Sequence, residues 1–153
     1  MISAGDIAPD FSAQGSRGEE IILSALKGKK VVLYFYPKDM TSGCTTEACD
    51  FRDHHSEFMA ADTVIIGVSK DTMGSHHKFI EKYQLPFALI SDPELEIIQT
   101  YGVWKEKNMY GKKTMGIERT TIIIDEQGII RKIYPKVKVK GHVEQVLRDL
   151  NNL

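Results

Sequence analysis

Residues 31–49 have the sequence VVLYFYPKDMTSGCTTEAC and hold both cysteines of the chain. The β-branched and aromatic run at residues 31–36 predicts a buried strand. Beyond it, five side chains recur at three- and four-residue steps, namely Cys44, Ala48, Phe51, His55 and Phe58. This spacing predicts one face of a helix over residues 44–59, with Cys44 near its first turn. Unpaired N–H groups and a partial positive charge at a helix start favour an anion such as a thiolate.

Size and charge limit the classes of protein to which the chain can belong. Its 153 residues fit one domain, 1–153, with a sizeable core. The net charge of −1 gives no electrostatic case for binding nucleic acid or a membrane surface. Residues 1–10 lack the basic flank and apolar run of a signal peptide, and no apolar run is long enough to span a bilayer. We therefore expect a cytoplasmic protein, in which a cysteine pair is catalytic, redox-active or metal-binding more often than structural.

The rest of the chain alternates predicted strands with predicted helices. Strands are expected at residues 63–69, 85–91, 120–125 and 129–134, the last two forming a hairpin, and helices at 72–83, 93–101 and 142–150. Short strands flank a turn at residues 15–18, and the polar residues 104–116 are expected to form an exposed loop or hairpin. This order predicts an α/β protein with a mixed sheet covered by helices on both faces.

Two non-catalytic uses of the cysteines are buried packing and zinc binding. The neighbours of Cys44 at residues 41–47 are mostly small or polar, which is an unusual lining for a packed thiol. A zinc site would need two histidines besides the C-x4-C pair. The adjacent pairs His54–His55 and His76–His77 point about 100° apart on a helix, and His55 would lie roughly 16 Å along the helix from Cys44. We therefore do not expect one shared metal.

A permanent disulfide is a third use of the cysteines. Residues five apart on an intact helix have Cα atoms roughly 8–9 Å apart. A disulfide needs a Cα separation of about 4.4–6.8 Å. A bond between Cys44 and Cys49 therefore requires the first helical turns to unwind, which favours a bond that forms transiently.

The fourth possibility is a reactive Cys44 thiolate whose oxidation product is captured by Cys49. We expect the thiol of Cys44 to ionise more readily than a free cysteine, because it lies at a helix start. Gly43 lets backbone N–H groups approach a small substrate, and Thr41 offers a hydroxyl three residues before the sulfur. Pro37 makes the entry to the loop rigid.

At these residues the chain resembles the peroxiredoxins. Pro37, Thr41 and Cys44 match the family's active-site motif P-x-x-x-T-x-x-C, and Glu47 stands at its usual place beyond the cysteine. The position of Cys49 is similar to that in the bacterioferritin comigratory protein, or peroxiredoxin Q, branch. Further segments that resemble this branch are residues 67–71, 85–87, 91–93, 101–104, 116–121 and 137–142. The resemblance implies a thioredoxin-like fold with a central mixed β-sheet flanked by helices and an N-terminal hairpin extension.

The resemblance also implies a function, that of a thiol-dependent peroxidase for hydrogen peroxide and organic hydroperoxides. Cys44 would be the peroxidatic cysteine, and Cys49 would resolve its sulfenic acid as an intramolecular disulfide. The catalytic set would further include Thr41, Arg119 and Pro37, and the substrate would contact Thr41, Gly43, Cys44 and Arg119. The implied partners are a hydroperoxide substrate and a reductant, which is thioredoxin or a similar dithiol. The resemblance further implies that the protein is a monomer. The resemblance implies no metal or other cofactor.

Arg119 and Glu47 also have simpler interpretations. Arg119 would be a surface strand residue, which is the commoner fate of an arginine. Glu47, which the resemblance makes a supporting residue, would be a favourable acid in the first helical turn. Met40 and Ser42 depart from the branch, in which an acidic residue and a proline usually flank Thr41; we expect the departures to bear on substrate preference and loop stability and not on the reaction itself.

Two other classes of function stay open. A thiol–disulfide oxidoreductase or redox sensor would act on proteins, although the C-x-x-C spacing for that chemistry is absent. An interaction module would bind an anionic partner through the basic residues Arg131, Lys132, Lys136, Lys138 and Lys140. Lysine at every second position of residues 136–140 instead predicts the solvent face of an edge strand.

Overall fold

The computed structural model describes residues 2–153, so Met1 of the predicted domain 1–153 lies outside the described residues. The strands are β1 (Ser12–Gln14), β2 (Glu20–Ile22), β3 (Lys30–Phe35), β4 (Thr63–Ser69), β5 (Ala88–Ser91), β6 (Trp104–Met109), β7 (Lys112–Ile117), β8 (Thr120–Ile124) and β9 (Ile130–Tyr134). The helices are α1 (Ser42–Asp53), α2 (His55–Ala60), α3 (Met73–Tyr83), α4 (Glu96–Thr100) and α5 (His142–Asn151), with a 3-10 turn at Leu23–Leu26. Within residues 2–153, none of the helices has the length and apolar character needed to cross a membrane.

The central sheet has the strand order β5-β4-β3-β8-β9. Strands β3, β4 and β5 are parallel to one another, whereas β8 runs antiparallel to both β3 and β9. The prediction of a mixed sheet flanked by helices is confirmed. The predicted amino-terminal hairpin is also present, formed by β1 and β2, and a further hairpin of β6 and β7 covers most of residues 104–116.

Strand β3 lies in the middle of the sheet and supplies side chains to the cores on both of its faces. Val31, Leu33 and Phe35 pack into a core that includes residues of α4. Their alternating neighbours pack into a second core with residues of α1, α2, α3 and α5. A strand buried on both faces has a continuous apolar run instead of an alternating pattern, which explains the sequence of residues 31–36.

The predicted helix over residues 44–59 is wrong in its bounds. Helix α1 begins two residues earlier and ends at Asp53, and α2 follows after His54. His54 has φ −103° and ψ 7°, which leaves the α-helical region. Phe51 and Phe58 are buried on the two sides of this break, with ring centroids 5.8 Å apart. The apolar spacing therefore continues across the break and does not reveal it.

Two elements begin three residues later than predicted. Strand β5 begins at Ala88, because Pro86 has no N–H to give to a ladder. Helix α4 begins at Glu96, because Leu95 has a left-handed φ of +63° that no α-helix contains. The side chain of Asp92 then accepts a hydrogen bond from the N–H of Glu96 and caps this start.

The prediction that residues 136–140 belong to an edge strand is wrong. Strand β9 ends at Tyr134, and Lys136 has a left-handed φ of +49° that interrupts an extended backbone. The lysines of this irregular segment are exposed all the same. The N–H of Val137 donates to the carbonyl oxygen of Arg119 at 3.0 Å, so the segment lies against the residue that precedes β8.

Candidate active site

Cys44 is the third residue of α1, directly after the loop that leaves β3. It is a free thiol and 1% exposed. The N–H groups in the first turn of a helix, here including that of Cys44, have no acceptor within the helix. They place partial positive charge around the sulfur. The predicted position of Cys44 at a strand–loop–helix junction is confirmed.

Arg119 lies between β7 and β8 and extends its side chain to the start of α1. Its Nη2 donates a hydrogen bond to Sγ of Cys44 at 3.3 Å. A Cβ atom on Gly43 would come within 3.1 Å of the same nitrogen, so glycine leaves room for the guanidinium. The interpretation of Arg119 as a surface strand residue is wrong, because only 16% of its side chain is exposed. Its positive charge stabilises a thiolate at this position.

Glu47 is the buried partner of Arg119. Its Oε1 accepts a hydrogen bond from Nη1 of Arg119 at 2.8 Å, and the residue is 0% exposed. Burial raises the pKa of Glu47 to about 7, against the lowering effect of Arg119. The interpretation of Glu47 as an acid in the first helical turn is wrong, because α1 already begins at Ser42. Oε2 of Glu47 has no hydrogen-bond partner among residues 2–153.

Two buried residues beside Glu47 were not predicted from the sequence. Nε2 of His142 lies 4.0 Å from Oε2 of Glu47 and 2.8 Å from Oγ1 of Thr121. Burial, and after it the positive charge of Arg119, lowers the pKa of His142 to about 4. Burial and the negative charge of Glu47 raise the pKa of Tyr34. Tyr34 lies in an apolar strand and His142 at a helix start, so neither carries a sequence signal of its own.

Cys49 is a free, half-buried thiol in the same helix. Burial raises its pKa, and the nearby Arg52 opposes this effect. The continuous helix between Cys44 and Cys49 is the arrangement in which a disulfide cannot form without unwinding. The structure is therefore that of the dithiol form.

The remaining predicted residues belong to the loop before α1. The hydroxyl of Thr41 donates to the carbonyl oxygen of Lys38 at 2.8 Å, which leaves its lone pairs free to accept a further bond. Pro37 is half-buried at the loop entry. Met40 is 42% exposed and has a left-handed φ of +67°. The catalytic roles of Thr41 and Pro37 stay predictions.

Two open grooves differ in their relation to this site. The groove beside the first turns of α1 has a volume of about 430 Å³ and is lined by Ser42, Gly43, Thr46, Asp50, Val139, Lys140, Gly141 and Glu144. A second groove of about 440 Å³ lies between β2, α2 and β4, and none of the predicted site residues lines it. The first groove is the one that reaches the start of α1.

A polar cluster below the same loop was not predicted from the sequence either. Among residues 2–153, the one group of side chains with the composition of a metal site is formed by Asp39, Asp71 and His76. Oδ2 of Asp39 and Nδ1 of His76 lie 2.7 Å apart, closer than the separation of about 3.3 Å between two ligands of one tetrahedral zinc ion. A shared proton fits this distance better than a metal ion. The group contains neither cysteine.

The chain belongs to the AhpC/TSA family, whose family model matches residues 4–133. It is 53% identical over 152 residues to peroxiredoxin Bcp of Bacillus subtilis strain 168, a match that covers 99% of this chain and 97% of that protein. It is 52% identical over 149 residues to a putative peroxiredoxin bcp of Coxiella burnetii, covering 97% of this chain and 99% of that one.

Solved structures agree with these relatives. A structure of the Xanthomonas campestris bacterioferritin comigratory protein, from work on its alkyl peroxide reduction activity, has a TM-score of 0.89 at 42% identity and covers 93% of this chain and 90% of that chain. A cysteine-to-serine mutant of Xylella fastidiosa PrxQ has a TM-score of 0.94 at 34% identity, with coverages of 99% and 97%. The thioredoxin-like fold is thereby confirmed. The protein is a peroxiredoxin of the bacterioferritin comigratory protein, or peroxiredoxin Q, branch: a peroxidase that uses a hydroperoxide and a thiol reductant.

Proposed function

We propose that Cys44 is the residue that reduces the hydroperoxide, and that Cys49 resolves the oxidised product. The observation that carries this proposal is the hydrogen bond of 3.3 Å from Arg119 to Sγ of Cys44 at the start of α1. A guanidinium and free helix N–H groups at one sulfur favour the thiolate, which is the nucleophilic form of cysteine. A thiol kept only for packing has no need of either.

In the first step the Cys44 thiolate attacks one oxygen of the hydroperoxide. An S–O bond forms, the O–O bond breaks, and the leaving oxygen takes up a proton to give water or an alcohol, while Cys44 becomes a sulfenic acid. Arg119 and the N–H of Cys44 stabilise the negative charge that develops on the leaving oxygen. The hydroxyl of Thr41 accepts a hydrogen bond from the hydroperoxide, since its own proton is directed to Lys38.

In the second step the first turns of α1 unwind and Cys49 reaches the sulfenic acid. The thiol of Cys49 displaces water, and a Cys44–Cys49 disulfide forms. The exposed residues Ser42 and Thr46 in these turns lose little packing when the backbone opens. Cys44, Glu47 and Ala48 in the same turns are buried, so unwinding must also release part of the packing of α1 on the second core.

In the third step an external dithiol exchanges with the disulfide and restores both thiols. We take thioredoxin as this reductant, hydrogen peroxide and organic hydroperoxides as the substrates, and a monomer in the cytoplasm as the acting form. A reducing compartment suits a protein that needs both thiols free between turnovers. Neither a metal nor another cofactor has a part in these steps.

Stopped-flow measurement of hydrogen peroxide consumption by the reduced protein tests the assignment. Cys44→Ser is expected to abolish consumption. Cys49→Ser is expected to retain a single oxidation of Cys44 but to lose thioredoxin-driven turnover. Full turnover by the Cys49→Ser variant would exclude Cys49 as the resolving residue, and peroxide consumption by Cys44→Ser would exclude Cys44 as the nucleophile.

A further inference from the structure

The loop that carries Thr41 begins over a buried hydrogen-bonded pair, Asp39 and His76. Oδ2 of Asp39 lies 2.7 Å from Nδ1 of His76, and the two side chains are 1% and 0% exposed. Asp39 also accepts hydrogen bonds from the hydroxyl of Tyr36 at 2.6 Å and from that of Ser75 at 2.8 Å. Both carboxylate oxygens are therefore satisfied without water.

Both ring nitrogens of His76 have hydrogen-bond partners. Nε2 lies 3.0 Å from the carbonyl oxygen of Ile90, which can only accept, so Nε2 donates. Nδ1 lies 2.7 Å from Oδ2 of Asp39, so a proton lies between the ring and the carboxyl group. The bond lies in an environment without solvent, where breaking it leaves buried polar groups without partners.

The backbone of the loop is attached to the same place. The N–H of Asp39 donates to Oδ2 of Asp71 at 2.9 Å, and the hydroxyl of Ser69 donates to that same oxygen at 2.6 Å. Asp71 and Ser69 lie at the carboxyl end of β4, and the side chain of Ser91 at the end of β5 donates to the carbonyl oxygen of Asp71. The chain at Asp39 is thereby fixed to α3 and to the ends of β4 and its neighbour β5.

The residues immediately after Asp39 are exposed, whereas Asp39 itself is buried. Met40 has a left-handed φ of +67°, and Thr41 caps α1 without a side-chain hydrogen bond to the helix, since its hydroxyl donates to the carbonyl oxygen of Lys38. The change from buried to exposed residues therefore falls between Asp39 and Met40.

We propose that the Asp39–His76 pair is the fixed anchor of the active-site loop. It positions the backbone that carries Thr41 and Cys44 during the reaction with peroxide. Its hydrogen bond stays intact when α1 unwinds, so that the segment that moves begins at Met40. The second part rests on the proposed disulfide between Cys44 and Cys49. Both residues are positioning residues, because neither touches the reacting sulfur.

Hydrogen exchange read by NMR or by overlapping peptides tests the anchor in the wild-type protein. On oxidation with one equivalent of hydrogen peroxide, the amides of residues 43–50 are expected to lose protection, whereas the amide of Asp39 keeps it. Fast exchange at Asp39 in a protein with an intact disulfide would overturn the anchor alone. If no disulfide forms, the proposed function fails, and the anchor's role in resolution fails with it.

A rate measurement tests the positioning role. In a Cys49→Ser background, Asp39→Asn is expected to slow oxidation of Cys44 by hydrogen peroxide about tenfold, because small displacements of reacting groups are costly. Ile98→Ala is the matched control: it truncates a fully buried residue in the other core and lowers stability without touching the loop. A rate for Asp39→Asn as high as that of the control would overturn the positioning role. Should Asp39→Asn not fold, the exchange experiment decides the matter.

Discussion

Glu47 and Asp39 are both buried carboxyl groups, paired with Arg119 and His76 respectively, yet their surroundings differ. Asp39 accepts hydrogen bonds at both oxygens, from Tyr36, Ser75 and His76. Glu47 pairs with Arg119 through Oε1 and has an Oε2 without a partner among residues 2–153. A buried carboxyl group with partners at both oxygens holds one geometry, whereas burial of a partly satisfied one raises its pKa. Asp39 therefore fits the part of the site that we propose stays fixed, and Glu47 is the carboxyl group whose ionisation burial disfavours.

The largest expected effect comes from Arg119→Ala. The variant removes the guanidinium beside Cys44 and leaves Glu47 buried without its cation. We expect the second-order rate constant for Cys44 oxidation by hydrogen peroxide to fall about a hundredfold, the usual cost of losing one donor to developing charge. Arg131→Ala, which removes a half-exposed arginine paired with Asp125, is the control and is expected to react like the wild type. An unchanged rate for Arg119→Ala would remove Arg119 from the mechanism.

The next effect concerns the pH dependence of stability in Glu47→Gln. In the folded protein the pKa of Glu47 is raised from 4.5 to about 7, so the folded state binds more protons than the unfolded chain between these pH values. Glu47 therefore makes the free energy of unfolding fall as pH rises through that window. The free energy of unfolding of Glu47→Gln, minus that of the wild type, is therefore expected to increase by roughly 3 kcal/mol as pH rises from the lower to the upper of these two values. Urea unfolding measures both free energies.

His142 changes the free energy of unfolding with pH in the opposite direction. Its pKa is lowered from 6.5 to about 4, so the unfolded chain binds more protons and stability rises with pH between these values. The two contributions oppose each other in the wild type, and the rise due to His142 is expected to become visible in Glu47→Gln. Parallel curves for the two proteins would contradict the account of Glu47 as a carboxyl whose ionisation is disfavoured by burial.

The smallest effect is expected at Met40, between the fixed and the moving part of the loop. Its left-handed φ of +67° is costly for a methionine and cheaper for an asparagine. Met40→Asn is therefore expected to raise the free energy of unfolding by about 0.5–1 kcal/mol in urea unfolding. Met59→Asn, at an exposed position in α2 with ordinary helical backbone, is the control and should not raise the free energy of unfolding. Destabilisation by Met40→Asn would show that its side chain contributes more than its backbone costs.

The sequence predicts most of the fold because the central strands are apolar runs bounded by turns and helices. It fails where backbone conformation is decided by one residue: His54 divides a predicted helix, and Leu95 delays another. Neither residue is a glycine or a proline, so no local signal marks these positions.

The active site, like the fold, is predicted from the sequence only in part. The family resemblance points to Cys44 and Arg119, and the structure brings them within hydrogen-bond distance. Asp39 and His76 are 37 positions apart in the sequence, and His142 lies 21 positions from its partner Thr121. A histidine in a predicted helix gives no indication of a buried carboxylate from another segment.

The most direct test of the central claim is the mass of the protein after one equivalent of hydrogen peroxide. Peptide mapping is expected to show the loss of two hydrogens and a single peptide pair joined through Cys44 and Cys49. An oxygen added to Cys44 without a link to Cys49, or a protein left unchanged by peroxide, would contradict the account.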